Sequence, residues 1–180
     1  HTIIQNKKTA LSILNPLSRS FFKMIEIIDK FKIISEYNGN INCFHLAEGP
    51  GGFIEAFVVK RKNKNDTYVG MTLLNDKNDI NIPAWKKSNT FLQKNSNVSI
   101  ETGADNTGNI LSIENLNHCK DKYLNKFDFI TGDGGFDFSL DFNNQEINIT
   151  QLLFAQITFA LNLQKKNGTF ILKMFDCFIG

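Results

Sequence analysis

The sequence predicts an α/β fold, a mostly parallel sheet with helices on both faces. Three observations carry that prediction. Strand-like and helix-like segments alternate along the 180 residues. The interior strands are dense in Ile, Val and Phe, as strands buried on both faces are. The first strand runs into a helix through Gly-Pro-Gly-Gly at 49–52, a joint that forms the ligand crevice of open α/β sheets.

The elements follow in chain order. Residues 1–14 are mixed and give no clear element. Asn15-Pro16 predicts a helix start, with Pro at the first helical position. That helix runs to about Lys32, with Leu17, Phe21, Ile25 and Ile28 on its buried side. The stretch YNGN at 37–40 is a turn. INCFHLA reads as a buried strand, and the glycine loop and a helix over 52–60 follow it. KRKNKND is a polar, solvated connector before the second strand, TYVGMTL. Residues 75–97 are polar and loop-rich, with Trp85 as an anchor. NVSIET is a short third strand, and residues 112–124 form a weak helix. KFDFITGDGG is a strand ending in Gly-Asp-Gly-Gly, followed by a polar loop over 137–147. NITQLLFAQITFALNLQKK, capped by Asn148 or Thr150, is the clearest helix. It is apolar nearly all round, which suits burial against a sheet. A turn at Asn167-Gly168 then opens a last strand, TFILKMFD.

Composition bounds the functions open to the chain. Hydrophobic residues at 42% and aromatic residues at 12% belong to a globular domain with a real core. A formal charge of +2 permits a nucleic-acid partner without announcing one. Cys43, Cys119 and Cys177 lie far apart and form neither a CxxC pair nor a disulfide framework. The expected setting is therefore reducing and intracellular, and no metal is expected. No apolar run is long enough to span a membrane. The chain starts on His and stops on what reads as a strand end, so a piece of a longer protein is expected, with 1–180 as one domain.

The glycine loop is open to three ligands. A phosphate-binding P-loop requires Lys-Ser or Lys-Thr after the glycines, and none follows. A dinucleotide site requires an acid about 20 residues on, where Met71 and Thr72 stand. Glu48, just before the loop, would repel pyrophosphate but would hold an ammonium group. That favours a cationic ligand such as S-adenosylmethionine. The plain alternative is that Glu48 caps the helix. Asp133 stands at the C-terminal end of a strand among Gly132, Gly134 and Gly135; it is either a ligand-facing acid or an acidic turn residue. Lys173 interrupts an apolar strand, which is costly unless the lysine is paired or used, and unremarked if the strand lies at an edge. Helix pattern alone makes Lys23 a surface lysine.

At these residues the chain resembles the FtsJ-like RNA 2'-O-ribose methyltransferases. It is most similar to their cap-specific mRNA branch, found in eukaryotes and large DNA viruses. The matching segments are LSRSFFKMIEI, FHLAEGPGGFIEAF, YVGMTL, TGNILSIENL, DFITGDGGFDF, QLLFAQITFAL and GTFILKMFD. They span nearly the whole chain in the family's order. The resemblance implies a Rossmann-like methyltransferase fold whose last two strands lie beyond residue 180. It also implies a Lys-Asp-Lys-Glu tetrad, of which Lys23, Asp133 and Lys173 match the first three members. The glutamate is expected after residue 180. Lys23 is thereby moved from surface lysine to site residue.

The implied cofactor is S-adenosyl-L-methionine, held by Glu48, Gly49, Pro50, Gly51, Gly52 and Phe53. Gly49 replaces the alanine more often seen there. Met71 and Thr72 are expected near the adenosine, and Asn109 stands where many members carry an Asp facing the adenine. Asp133 would attract the sulfonium and orient Lys173. Lys173 would activate the ribose hydroxyl, with Lys23 as the neighbouring cation. The implied partner is RNA, in the form of capped mRNA, and no membrane; the implied place is the nucleus, the cytoplasm or a viral factory. Lys7, Lys8, Arg19, Lys86 and Lys87 are candidates for phosphates, and Phe136, Phe138 and Trp85 for stacking on the cap. Three alternatives stay open: a ribosomal or transfer RNA 2'-O-methyltransferase, a non-catalytic RNA-binding subunit on the same fold, and a dehydrogenase.

Overall fold

The computed structural model describes residues 14–35, 37–74, 84–134 and 145–174. Its elements run α1 (Ser20–Phe31), β1 (Asn42–Leu46), α2 (Gly52–Arg61), β2 (Thr67–Met71), α3 (Asn89–Lys94), β3 (Val98–Glu101), α4 (Ile113–Tyr123), β4 (Phe127–Gly132), α5 (Gln145–Leu163) and β5 (Gln164–Leu172). The strands form one sheet in the order β3-β2-β1-β4-β5, and every pairing is parallel. This is the expected α/β architecture. The chain builds β1, β2 and β3 outward in one direction, then returns to the other side of β1 for β4 and β5. The order therefore reverses between β1 and β4, which opens a crevice at their C-terminal ends.

Two apolar layers hold the sheet. Phe21, Met24 and Ile28 of α1 and Phe53, Ile54 and Phe57 of α2 pack with Cys43, Tyr68 and Phe129 on one face. Cys119 and Tyr123 of α4 and Phe159, Ala160 and Leu163 of α5 pack with Phe44, Leu46, Met71 and Ile130 on the other. Consecutive β1 residues thus serve opposite layers, the period-2 alternation of a strand. No helix among the described residues is long and apolar enough to cross a membrane.

The differences from the sequence reading have local causes. α1 begins at Ser20, not at Pro16. The Leu17 N–H donates to the Glu55 carboxylate at 2.8 Å, so the preceding chain is spent on reaching α2. KRKNKND is only partly solvated. Asp66 is buried, accepts the Ile41 N–H at 2.9 Å and pairs with Arg61 at 2.9 Å, while Arg61 also donates to the carbonyls of Tyr37 and Gly39. This network ties α2 to the N-terminal ends of β1 and β2. α3 went unread because it buries no residue and so carries no apolar period. β5 starts before its expected turn: Asn167 holds a left-handed φ of 65° inside the strand, where the pairing with β4 shifts register. α5 leaves Phe154 and Leu161 exposed, so it is not covered all round. The loop expected at 137–147 lies outside the described residues as far as 144.

Candidate functional site

Three strand tips are laced together at the crevice. The Asp133 N–H, just past β4, donates to the Leu46 carbonyl at 3.2 Å, and the Lys173 N–H, just past β5, donates to the Gly132 carbonyl at 2.9 Å. The main chain thus sets residues 133 and 173 side by side. Their side chains meet: Lys173 Nζ lies 2.5 Å from Asp133 Oδ1 and donates to the Asp133 carbonyl at 2.8 Å. The pair is partly open to solvent, with side-chain exposures of 16% for Asp133 and 27% for Lys173. Among the described residues β5 is an edge strand, pairing with β4 alone. Lys173 is nonetheless a committed partner and no bystander of that edge.

Glu48 closes the third side. It is 2% exposed. Its Oε1 accepts the Phe53 N–H at 2.5 Å, so it does cap α2, which is the plain reading. Its Oε2 is buried and has no hydrogen-bond partner among the described residues. Burial raises the Glu48 carboxyl well above the usual carboxylate range, and the Asp133 charge raises it further; the backbone N–H groups of Phe53 and Ile54 and the Lys173 charge act against that. A buried carboxylate oxygen without a donor is costly. An ammonium group delivered to it would satisfy both its charge and its lone pair. The residues present therefore fit a ligand with an amino-acid end, and S-adenosylmethionine carries one.

The glycine loop does something the sequence did not suggest. Its missing side chains also make room for this chain's own packing. A Cβ on Gly49 would lie 2.6 Å from the Ala84 carbonyl oxygen, and one on Gly51 would lie 3.4 Å from the Trp85 ring. A Cβ on Gly52 would collide with the Ser18 and Ser20 hydroxyls. Gly51 also needs its own backbone freedom, at φ 104°. The loop is a packing joint between α1, α2 and the 84–88 segment. Ser88 Oγ completes it by donating to the Pro50 carbonyl at 2.5 Å. Trp85 is the expected anchor, buried against Gly51 and Gly70, and this burial removes it as a candidate for stacking on a cap. Phe53 contributes its N–H, since its ring belongs to the core.

A fourth wall comes from the ends of β2 and β3. Met71 is fully buried, with its sulfur 3.9 Å from Cys119 Sγ, so its side chain points into the core. Thr72 is also buried, and its carbonyl sits where a Cβ on Gly108 would fall. Leu74 N–H donates to the Thr107 carbonyl at 2.7 Å. Asn109 stands beside this seam; its Oδ1 accepts the Leu111 N–H at 3.0 Å, and its carbonyl accepts from Asn115 Nδ2 at 3.0 Å.

Two residues that shape this wall escaped the sequence reading. Glu101 ends β3 and accepts from Lys122 Nζ, Tyr123 Oη and the Gly103 N–H, each at 2.8 Å. Burial by itself would raise its carboxyl; the bonds from Lys122, Gly103 and Tyr123 outweigh that and hold it at about 2. Asn115, fully buried, accepts the Asp105 N–H and donates to the Asp105 carboxylate. A third such residue is Gln156, a buried polar side chain inside an apolar helix. Its Oε1 accepts the Gly134 N–H at 3.0 Å. A polar residue in an otherwise apolar window was the available signal.

The remaining expectations separate. Lys23 lies on the exposed side of α1, in a shallow concavity with Glu26, Ile27, Lys30 and Phe31; no contact among the described residues joins it to Asp133 or Lys173. Arg19, Lys86 and Lys87 are exposed. Lys7, Lys8, Phe136, Phe138 and Gly135 lie outside the described residues. Among the described residues no group of three His, Cys, Asp or Glu side chains is placed to hold a metal.

The model of the FtsJ-like methyltransferase family matches residues 16–178. A cap-specific mRNA (nucleoside-2'-O-)-methyltransferase 1 of Mus musculus is 35% identical over 147 residues, covering 77% of this chain and 17% of the relative. A cap-specific mRNA (nucleoside-2'-O-)-methyltransferase 2 of Drosophila melanogaster is 26% identical over 175 residues, covering 87% of this chain and 23% of the relative. The chain thus spans less than a quarter of the length of either. A solved structure from Plasmodium falciparum, described as a ribosomal RNA methyltransferase, superposes with a TM-score of 0.57 at 21% identity, covering 88% of this chain and 78% of that one. It supports the fold.

Proposed function

Because the chain belongs to the FtsJ-like methyltransferase family, we propose that it serves methyl transfer from S-adenosyl-L-methionine to a ribose 2'-hydroxyl of RNA, at a cap-proximal nucleotide of mRNA. Residues 1–180 are proposed as one methyltransferase domain. The observation that carries this reading is the Lys173–Asp133 pair at two adjacent strand tips, beside the buried oxygen of Glu48 that has no hydrogen-bond partner among the described residues. The names of the two relatives, both cap-specific mRNA methyltransferases, favour the capped substrate.

The bound cofactor would supply a methyl group on a positively charged sulfur, open to attack by an oxygen. The chain's own residues do the rest. Glu48 receives the ammonium end through Oε2. The backbone of 49–53, with Thr72 and the Asn109 seam, lines the remainder. Asp133 holds Lys173 in place and puts a negative charge beside the reacting centre. Lys173, once its ammonium has given up a proton, accepts the proton of the ribose hydroxyl. General-base help of this kind contributes roughly 10²–10⁴-fold, and alignment of the two reactants contributes more. Lys23 approaches the RNA from the exposed side of α1 as the neighbouring cation, and Arg19, Lys86 and Lys87 meet phosphates.

The test uses the full-length protein, methyl-labelled S-adenosylmethionine and a short RNA with and without a cap. Digestion of the product should place the label on the ribose 2'-oxygen of a cap-proximal nucleotide, in the capped RNA alone. Equal labelling of uncapped RNA would move the substrate to ribosomal or transfer RNA. RNA binding without any transfer would make the domain a non-catalytic subunit, and label on a base would overturn the reading of the site.

A further inference from the structure

Gln156 lies in a segment that carries the resemblance, but neither the tetrad nor the cofactor loop gives it a role. It sits on α5, 2% exposed, beneath the tip of β4. Its Oε1 accepts the Gly134 N–H at 3.0 Å, and its Nε2 donates to the Leu152 carbonyl one turn back at 3.1 Å. The second bond fixes which way the amide faces, so the oxygen is presented to Gly134. Both neighbours of Asp133 are shaped to this amide. A Cβ on Gly132 would lie 2.5 Å from Gln156 Oε1, and a Cβ on Gly134 would lie 2.7 Å from Nε2. Glycine on each side of Asp133 thus admits the glutamine, as well as freeing the turn.

The consequence falls on Asp133. Its loop is tied on one side to Leu46 and on the other to Lys173 through main-chain bonds, and from below to Gln156 alone among described side-chain hydrogen bonds. With the backbone so held, the Asp133 carboxylate and carbonyl both face Lys173 Nζ. Loss of the oxygen at 156 would leave the buried Gly134 N–H without an acceptor, and such a group moves toward water where it can. The loop that moves is the one carrying Asp133.

We propose that Gln156 is a positioning residue for methyl transfer, holding the Gly132-Asp133-Gly134 loop so that Asp133 keeps Lys173 at the reacting hydroxyl. Its place in the reaction rests on the function proposed above; its hold on the loop does not.

The test compares Gln156→Met, which keeps side-chain length and removes the amide, with Gln156→Glu, whose buried carboxyl, when protonated, keeps an oxygen for Gly134 and a donor for the Leu152 carbonyl. Thr158→Val, on the exposed side of the same helix, is the control. In the full-length protein, Gln156→Met should lower kcat at least tenfold on capped RNA while the Kd for S-adenosylhomocysteine stays within threefold. Its Gly134 amide should exchange with solvent at least tenfold faster, with core amides of β4 unchanged. Gln156→Glu should restore Gly134 protection and most of the turnover, and Thr158→Val should match wild type throughout. A Gln156→Met protein with wild-type kcat, or with Gly134 still protected, overturns the proposal, as does a loss of kcat that only follows the unfolded fraction. Should Gln156→Met not fold, failure of Gln156→Glu to protect Gly134 overturns it equally. If the wild-type protein methylates no RNA, the function proposed above fails. The separation of Lys173 Nζ from Asp133 Oδ1 in a crystal structure of Gln156→Met then decides the hold on the loop: unchanged at 2.5 Å refutes it, and beyond about 4 Å supports it.

Discussion

Replacing Glu48 with glutamine separates the two things this carboxyl does. Oε1 accepts the Phe53 N–H, and the amide oxygen of the introduced glutamine would do the same. Oε2 has no partner among the described residues, and in the variant its place is taken by an uncharged donor. The charge and its waiting lone pairs are lost while the helix cap is kept. The groups facing Glu48 are Asp133, Lys173 and the N–H groups of Phe53 and Ile54. Burial first, and Asp133 second, hold its folded-state pKa above the unfolded value of 4.5. The folded protein therefore binds more protons than the unfolded chain between 4.5 and that raised value. This contribution to stability is fully present below pH 4.5 and declines as pH rises through the window. In Glu48→Gln it is absent, so the variant should lose less stability than wild type as pH rises from 4.5 through that raised value.

Ligand binding has the opposite sign. An ammonium group needs the ionised carboxylate, so its arrival displaces a proton, and affinity rises with pH by up to about tenfold per unit below the raised pKa. Loss of one hydrogen bond to a charged group costs about 1.5–3 kcal/mol, which is roughly 10- to 150-fold in Kd. Calorimetric titration with S-adenosylhomocysteine over a pH series starting just above 4.5 measures both effects. Wild type should bind more tightly as pH rises through the window in which Glu48 ionises. Glu48→Gln should bind at least about tenfold more weakly and show no such slope. Equal affinity in the two proteins, or an equal slope, would refute the assignment of Glu48 Oε2 to the ligand.

Other perturbations address the remaining walls of the crevice. Lys173→Arg keeps a cation on Asp133 but removes a side chain able to accept a proton; transfer to RNA should fall by roughly 100-fold or more, with S-adenosylhomocysteine affinity within threefold. Gly49→Ala places a methyl 2.6 Å from the Ala84 carbonyl, so the 84–88 segment must shift. Urea unfolding should show a loss of about 1–3 kcal/mol. Glu101→Ala strips acceptors from the buried Tyr123 hydroxyl and Gly103 N–H and should cost about 2–3 kcal/mol. The Glu101 carboxyl titrates at about 2 against 4.5 for the free group. Its contribution is present above pH 4.5 and lost as pH falls toward 2, so acid unfolding of Glu101→Gln should show a flatter slope in that window.

The part of the site legible in the sequence is the part written locally. An apolar run ending in an acid, a Gly-Asp-Gly at the close of another run, and a lysine interrupting a third each mark a site residue; the structure ends the third strand at Leu172, one residue before that lysine. Parallel pairing of β1 with β4 and of β4 with β5 then brings those residues together without further instruction. What was not legible depends on partners distant in the chain. The glycines of the loop are spoken for by Ala84, Trp85, Ser18 and Ser20, none of which is a sequence neighbour. Arg61 and Asp66 look like surface charges until they are seen paired, with Asp66 buried. Gln156 looks like a lapse in an apolar helix until Gly134 is placed above it. The start of α1 followed the same rule, since the bond from Leu17 to Glu55 overrode the cap that Asn15-Pro16 offered.

The central claim is that an amine on one strand tip, steered by a carboxylate on the next, takes the proton of a ribose hydroxyl beside a ligand seated on Glu48. A crystal structure of the full-length protein with S-adenosylhomocysteine and a short capped RNA tests it most directly. The expected result places the ligand's ammonium on Glu48 Oε2 and a ribose 2'-oxygen within about 3.2 Å of Lys173 Nζ. A ligand whose amino-acid end lies away from Glu48, or an RNA whose nearest ribose is held out of reach of Lys173, would contradict it.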